Sequence, residues 1–258
     1  LFGAGIMLMV GSEPDAPLKL HYSRMRWLLV IGLIHGFVLW YGDILTPYAI
    51  LGMFAVMFRR MSAGKLLLWG LLGVALSNAL LVVQAWAGSI SPQTYEPTQF
   101  GIVPDEDTLS MWVGAYQAGF LDSRIFNAVG NLVVQLSALI SLGPRLLGVM
   151  LIGMALYKTG FLLARWSAGA YGLGAGVALI PGLGALWWSG SFALDTGFSA
   201  QAMFATTSVN AFASLAVAFG YACLVMLACK LNWLALIRAP FAAVGRMAFT
   251  NYLSQTVM

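Results

Sequence analysis

The chain has 258 residues, of which 60% are hydrophobic and only 9% are charged, and its formal net charge is +4. Soluble domains carry roughly 25% charged and about 45–50% apolar residues, so this composition excludes an ordinary water-soluble domain. The Lys and Arg residues form no continuous basic run, and the sequence has no aromatic RNA-binding motif. The sequence therefore predicts membrane lipid as a partner and no nucleic acid.

Apolar runs follow one another along the chain at lengths that suit a bilayer, since roughly 20 residues of helix cross its hydrocarbon core. Residues 1–10 predict the end of a helix, and a polar connection follows them. The predicted spans cover residues 22–41, 44–58, 65–87, 146–164, 168–188 and 202–227, with a last span from Phe241. The pattern predicts an all-α, polytopic integral membrane bundle with about seven spanning helices.

Both ends of the chain lie in apolar sequence, with Leu1 instead of Met at the start and Met258 at the end. We therefore expect a fragment, truncated at both ends, of a single transmembrane domain over residues 1–258. Residues 88–110 form its longest polar stretch, with three prolines, four acidic residues and no basic one. This stretch opens an external loop region predicted over residues 88–122.

Basic residues are sorted to alternate connections, as in membrane proteins whose short cytoplasmic loops retain Lys and Arg. With Arg24 and Arg26 in the cytoplasm and residues 125–142 not crossing, only Arg124 and Arg145 of the 13 Lys and Arg residues lie outside. A crossing at 125–142 would move the bases of the later cytoplasmic connections outside. The charge rule therefore predicts a re-entrant or external helix over this segment.

His35 lies nine residues beyond Arg26. Along a helix this is about 13–14 Å, near the middle of a ~30 Å hydrocarbon layer. An ionisable side chain at that depth predicts a functional role in the bundle interior. As the candidate catalytic residue, His35 can take a proton from a sugar hydroxyl or relay protons in a transporter. The alternative is a histidine that holds neighbouring helices together by a hydrogen bond.

Asp43 follows Gly42 at the outer end of the same helix. A Gly-Asp pair favours a turn, and Asp suits the N-terminus of the next helix, so capping is one interpretation. The other interpretation is a substrate-binding residue that holds a hydroxyl or a cation. Eight residues along a straight helix correspond to about 12 Å, so the sequence predicts no direct contact between Asp43 and His35.

A polar stripe runs along the segment that begins near Arg124. Asn127, Asn131 and Gln135 follow Arg124 at spacings of three, four and four, which places all four residues on one helical face. Facing lipid, each unsatisfied group would cost on the order of 1 kcal/mol or more. We therefore expect the stripe to face protein, water or a ligand, and its members are candidate substrate-binding residues. An interfacial helix with this face in water is the alternative.

Arg246 and Asn251 belong to a second polar stripe on the last predicted span. We expect Arg246 in the first turns of that span, where it can snorkel to the cytoplasmic interface or bind a phosphate of coenzyme A or a lipid headgroup. Asn251 is a candidate for the same role, with helix packing as its alternative. The sequence has no residues with the spacing of a metal site.

Three stretches carry a resemblance to a known family. They are residues 1–5 (LFGAG), residues 32–35 (GLIH) followed by 40–45 (WYGDIL) and Tyr48, and residues 244–248 (VGRMA) with 250–252 (TNY). Together they resemble the YeiB-like bacterial inner-membrane proteins, a family defined by a domain of unknown function. The resemblance implies a multi-pass location in the bacterial inner membrane, and members of the family have been labelled as possible transport proteins.

The family is similar, more remotely, to transmembrane acyltransferases that modify sugars, which implies acyl transfer to a sugar-like acceptor. Arg24 and His35 match the Arg-x10-His spacing of those enzymes, but the enzymes carry it in their first helix, so we interpret the match as coincidental. The leading hypothesis is acyl transfer with His35 as the base, and acyl-coenzyme A is the candidate donor that this resemblance implies. The rivals are a transporter of a small organic solute and a non-catalytic membrane scaffold.

Overall fold

The computed structural model describes residues 1–13, 18–40, 42–90, 106–233 and 235–256. Within these ranges every regular element is a helix, which confirms the all-α prediction. The helices are α1 (Phe2–Val10), α2 (Lys19–Ile34), α3 (Leu45–Ala55), α4 (Ala63–Ser89), α5 (Glu106–Gln117), α6 (Phe120–Ser141), α7 (Gly143–Lys158), α8 (Ala168–Asp195), α9 (Ala200–Lys230), α10 (Ala235–Arg246) and α11 (Ala248–Gln255). A π-helical segment (His35–Leu39) continues α2, and short 3-10 turns follow α3 and α7.

Four of the described helices are long and apolar enough to cross a membrane. They are α4, α6, α8 and α9. This agrees with a membrane protein, whereas seven spans are not confirmed. Helix α7 has 16 residues, or about 24 Å, because Gly160 turns the chain in a left-handed conformation shortly after it. The last predicted span, from Phe241, is not confirmed, since α10 ends at Arg246 and α11 begins at Ala248.

Helix α6 contains the segment that the charge rule predicts not to cross the membrane. Its 22 residues satisfy the length and composition of a span, so a re-entrant or external position is not confirmed. The predicted external loop region overlaps the end of α4 at Ser89 and includes the start of α5 at Glu106. Residues 91–105, between these helices, lie outside the described residues. The external position of this loop stays a prediction.

The chain forms two compact units. Unit 1 comprises Leu1–Val74, Ser110–Thr159 and Leu234–Met258, and unit 2 comprises Ala75–Leu109 and Gly160–Trp233. Helix α4 therefore contributes its first part to unit 1 and its second part to unit 2. All the candidate site residues lie in unit 1, and the single transmembrane domain stays a prediction.

The core of unit 1 forms where α1, α3 and α7 meet. Ile6 of α1 and Met150 of α7 are buried together with Val56, which follows α3. A second group joins Met7 of α1 to Met154 of α7. Because lipid tails are as apolar as these side chains, close packing and not escape from a polar solvent holds such helices together.

Gly3 lets α1 approach the backbone of α7. A Cβ at this position would overlap the carbonyl oxygen of Met150, whereas among the described residues no atom lies within 4 Å of a Cβ at Gly5. We expect Gly3→Ala to lower the free energy of unfolding by about 1–3 kcal/mol, because a backbone atom cannot move aside as a side chain can. Thermal unfolding in detergent measures the change. Gly5→Ala is the matched control on the same helix, and an equal stability of the two variants would contradict the prediction.

Unit 2 is built around the antiparallel hairpin of α8 and α9. Small residues let these helices approach closely: a Cβ at Gly182 would lie 2.7 Å from the Val217 side chain, and one at Gly220 would lie 2.5 Å from Leu179. Asn78, in the second part of α4, donates a hydrogen bond of 2.6 Å to the Ala211 carbonyl of α9.

Candidate functional site

The site lies where the first helical hairpin of unit 1 reverses direction. The π-helical segment begins at His35 and ends at Leu39, and Trp40 is extended, with φ −148°. The chain then turns back, so that His35 Nδ1 and Asp43 Oδ1 are 2.9 Å apart. The prediction that these two side chains cannot touch is wrong, because it assumed a straight helix that continues to Asp43.

Asp43 accepts hydrogen bonds on both carboxylate oxygens. Its Oδ2 accepts from the Thr46 backbone N–H at 2.9 Å, which confirms the predicted capping of α3. Its Oδ1 accepts from the Tyr252 hydroxyl at 3.2 Å and also contacts His35. The Tyr252 hydroxyl oxygen in turn accepts from the Ile44 backbone N–H at 3.2 Å. These bonds hold the carboxylate in a fixed orientation beside the imidazole.

His35 is held on both ring nitrogens and is only 1% exposed. Its Nε2 lies 2.9 Å from Thr256 Oγ1, and the Tyr252 ring packs at a centroid distance of 5.3 Å. An ionised carboxylate can only accept, so Asp43 favours the tautomer that carries its proton on Nδ1. The lone pair on Nε2 then accepts from the Thr256 hydroxyl. The result is a carboxylate, an imidazole and a hydroxyl joined in series by hydrogen bonds. A general base whose ring is oriented by a carboxylate has this arrangement.

The polar stripe of α6 packs against this hairpin end, as a stripe that faces protein must. Asn127, Asn131 and Gln135 are among the buried residues of the helix. Gln135 Nε2 donates to the backbone carbonyl of Asp43 at 2.6 Å and to Asn131 Oδ1 at 3.2 Å. Asn131 lies against Gly36, where a Cβ would stand 2.6 Å from its Oδ1. The stripe therefore supports the backbone that carries His35 and Asp43.

The first two members of the stripe, Arg124 and Asn127, make further contacts with protein groups. The Arg124 guanidinium donates to the backbone carbonyl of Val38 in the π-helical segment. Asn127 Oδ1 accepts from the Tyr116 hydroxyl at 2.7 Å. These contacts position the side chains of the stripe against protein groups. Substrate contact stays a prediction for all four members, Arg124, Asn127, Asn131 and Gln135.

A cleft of about 410 Å³ borders the half-buried Thr256, which contacts the buried pair of His35 and Asp43. Leu39, Trp40, Tyr252, Gln255 and Thr256 line it. Ligand pockets have volumes of about 300–1,000 Å³, so a small substrate or one end of a larger substrate fits this space. Two of the lining residues, Tyr252 and Thr256, contact His35 directly, and access to the imidazole therefore leads past them.

Arg246 and Asn251 stand on either side of the break between α10 and α11. Arg246 is exposed at the C-terminal end of α10, not in the first turns of a span, because the helix is interrupted at Met247. Asn251 is half-buried, and its backbone carbonyl accepts from the Ser254 hydroxyl at 3.1 Å. Their contacts with a donor or a lipid headgroup stay predictions.

Sequence reasoning missed Thr256. Tyr252 belongs to the Thr-Asn-Tyr motif of the resemblance, and Thr256 follows it by one helical turn on the same face. That spacing was the available signal. The contact of Thr256 with His35 joins residues 221 positions apart, which no local pattern reveals.

A sequence profile of the family described as "Protein of unknown function (DUF418)" matches residues 156–258. The chain is 26% identical over 272 aligned positions to the uncharacterized protein YxaH of Bacillus subtilis, with all of this chain and 63% of YxaH covered. It is 29% identical over 287 positions to the uncharacterized protein YeiB of Escherichia coli, with all of this chain and 65% of YeiB covered.

The predicted resemblance to YeiB-like proteins of unknown function is confirmed. The chain spans slightly less than two thirds of the length of these two curated relatives. No solved structure matches it. Neither relative's name states an activity.

Proposed function

We propose that this chain is part of a membrane-embedded acyltransferase that moves an acyl group from a thioester to a hydroxyl acceptor. One observation carries the proposal: a buried imidazole bonds a carboxylate on Nδ1 and a hydroxyl on Nε2, each at 2.9 Å. This arrangement suits the removal of a proton from a hydroxyl as that hydroxyl attacks a carbonyl carbon. It exceeds what a histidine needs in order to join two helices.

His35 and Asp43 divide the proton chemistry between them. As a hydroxyl oxygen attacks the thioester carbonyl, His35 Nε2 takes the hydroxyl proton, and the imidazolium that forms is stabilised by the Asp43 carboxylate. When the carbon–sulfur bond breaks, the same nitrogen returns the proton to the thiolate. The products are an ester and a free thiol, so atoms and charge balance.

The cleft and the second polar stripe suggest where the substrates bind. A sugar-like acceptor fits the cleft, whose lining includes the side chains of Trp40 and Gln255. An acyl-coenzyme A donor would place a phosphate near Arg246. Arg246 and Thr256 lie on the two sides of the helix break at Met247, so the donor would extend from one side of this break to the other.

Four apolar helices and the two bacterial relatives support a place in the bacterial plasma membrane. The sorting of Lys and Arg supports an orientation with the Arg24 end of α2 in the cytoplasm and the Asp43 end toward the outside. In this orientation the donor enters from the Arg246 side. The acceptor is modified near the outer end of the first hairpin.

The test uses the full-length protein in phospholipid vesicles, supplied with acetyl-coenzyme A labelled in the acetyl group. Glucose, N-acetylglucosamine and glycerol serve as hydroxyl acceptors. We expect acceptor-dependent release of free thiol together with a labelled ester. Thiol release no faster than in empty vesicles would contradict the proposal. Accumulation of an unmodified solute inside the vesicles, without thiol release, would instead identify the chain as part of a transporter.

A further inference from the structure

We infer that Thr256 is a covalent nucleophile, which takes the acyl group from the donor before the final acceptor receives it. This inference rests on the proposed acyl transfer and adds to it an intermediate, an ester on Thr256 Oγ1. Neither the sequence motifs nor the similarity to other proteins assigns a role to this residue.

Thr256 stands between the base and the cleft. His35 is 1% exposed, and its Nε2 is already occupied by the Thr256 hydroxyl at 2.9 Å. A substrate hydroxyl can reach Nε2 only by displacing Thr256, whereas Thr256 itself borders the cleft of about 410 Å³. The hydroxyl that is both activated by the base and open to a substrate is therefore the one on Thr256.

Contacts of α11 hold Thr256, its C-terminal capping residue, beside the imidazole. Tyr252 and Thr256 lie one turn apart at the C-terminal end of α11, and both contact the dyad of His35 and Asp43. Tyr252 is fixed by bonds to Asp43 and to the Ile44 backbone. It thereby keeps Thr256 within reach of the imidazole. Ser254 of the same helix bonds the Asn251 carbonyl instead.

The chemistry closes in two steps. In the first, Oγ1 attacks the thioester carbonyl while its proton passes to His35 Nε2, the carbon–sulfur bond breaks, and the proton moves to the departing thiolate. This leaves an acyl ester on Thr256 and a free thiol. In the second step, the acceptor hydroxyl attacks that ester with His35 again as the base, and Thr256 Oγ1 leaves with the proton.

The experiment traps the ester on the full-length protein. Acetyl-coenzyme A carrying a labelled acetyl group is mixed with the protein without acceptor, the reaction is quenched in acid within milliseconds to seconds, and peptides are mapped by mass spectrometry. We expect label on the peptide that contains Thr256, with a burst of thiol release equal to the amount of labelled protein. Thr256→Ala should lose the label and lower transfer by about 100-fold or more. Thr256→Ser should keep both.

Ser254→Ala is the matched control, since this hydroxyl lies two residues away and bonds the Asn251 carbonyl. It should leave the label and the transfer rate unchanged. If Thr256→Ala transfers acetyl at the wild-type rate while His35 variants do not, the inference fails and the proposed function stands. If wild-type protein transfers acetyl but carries no label on Thr256 at any quench time, the covalent intermediate is excluded. If acetyl transfer is lost neither in the Thr256 variants nor in the His35 variants, the inference and the proposed function both fail.

Discussion

Replacing His35 by glutamine in the full-length protein is expected to lower acetyl transfer by about 10²–10⁴-fold, the contribution of a general base. Glutamine has a similar length and can still donate a hydrogen bond to Asp43. Its amide cannot accept and return a proton, so the chemistry is lost while the buried contacts are largely kept. Initial rates of acceptor-dependent thiol release, measured at saturating donor, report this loss in kcat.

His21 provides the matched control, because it is as deeply buried as His35 but serves the fold. Its side chain is fully buried in α2, and its Nε2 lies 3.1 Å from the carbonyl oxygen of Gly52. We expect His21→Gln to lower thermal stability and to leave the rate per folded molecule unchanged. A folded His35→Gln protein that keeps more than a tenth of the wild-type rate would remove His35 from the proposed mechanism.

The sequence predicts the helical class well because apolar runs and a period near 3.6 depend on local residues. The buried stripe of α6 shows this: Asn127, Asn131 and Gln135 share one face, and that face is buried against protein. Span lengths were predicted less well, since α7 ends at Lys158 after a run that stays apolar beyond it. The end of α7 depends on the left-handed backbone conformation of Gly160, which hydropathy does not predict.

The site was predicted only in part, for a reason that lies in one segment. His35 and Asp43 are identified by residue type and depth, but their contact requires a helix that becomes π-helical at His35 and ends at Leu39. The stripe of α6 stabilises that irregular end, through the bond from Gln135 to the Asp43 carbonyl and the close contact of Asn131 with Gly36. Tertiary contacts of this kind stabilise a helix end that is not straight. They cannot be predicted from the spacing of residues in the sequence.

Asp43→Asn is expected to lower acetyl transfer by about 100-fold or more while the protein stays folded. Asparagine is as good a helix cap as aspartate, so its amide oxygen can take over the bond from the Thr46 N–H, now made to Asp43 Oδ2 at 2.9 Å. The amide nitrogen then faces His35 and Tyr252. Since Asp43 Oδ1 now accepts from both groups, the substitution turns an acceptor into a donor at the dyad.

This reversal changes the tautomer of His35, which separates a catalytic effect from a merely structural one. An amide N–H that donates to Nδ1 forces the imidazole proton onto Nε2, and the protonated Nε2 can no longer take the Thr256 hydroxyl proton. Solid-state ¹⁵N NMR of histidine-labelled protein in lipid bilayers should show this exchange, with the His35 signals assigned from the His35→Gln variant. Asp122→Asn, at an exposed acid in the first turn of α6, should leave both the spectrum and the rate unchanged. An Asp43→Asn protein with the wild-type tautomer and the wild-type rate would mean that the carboxylate only caps α3, and the dyad would have no part in catalysis.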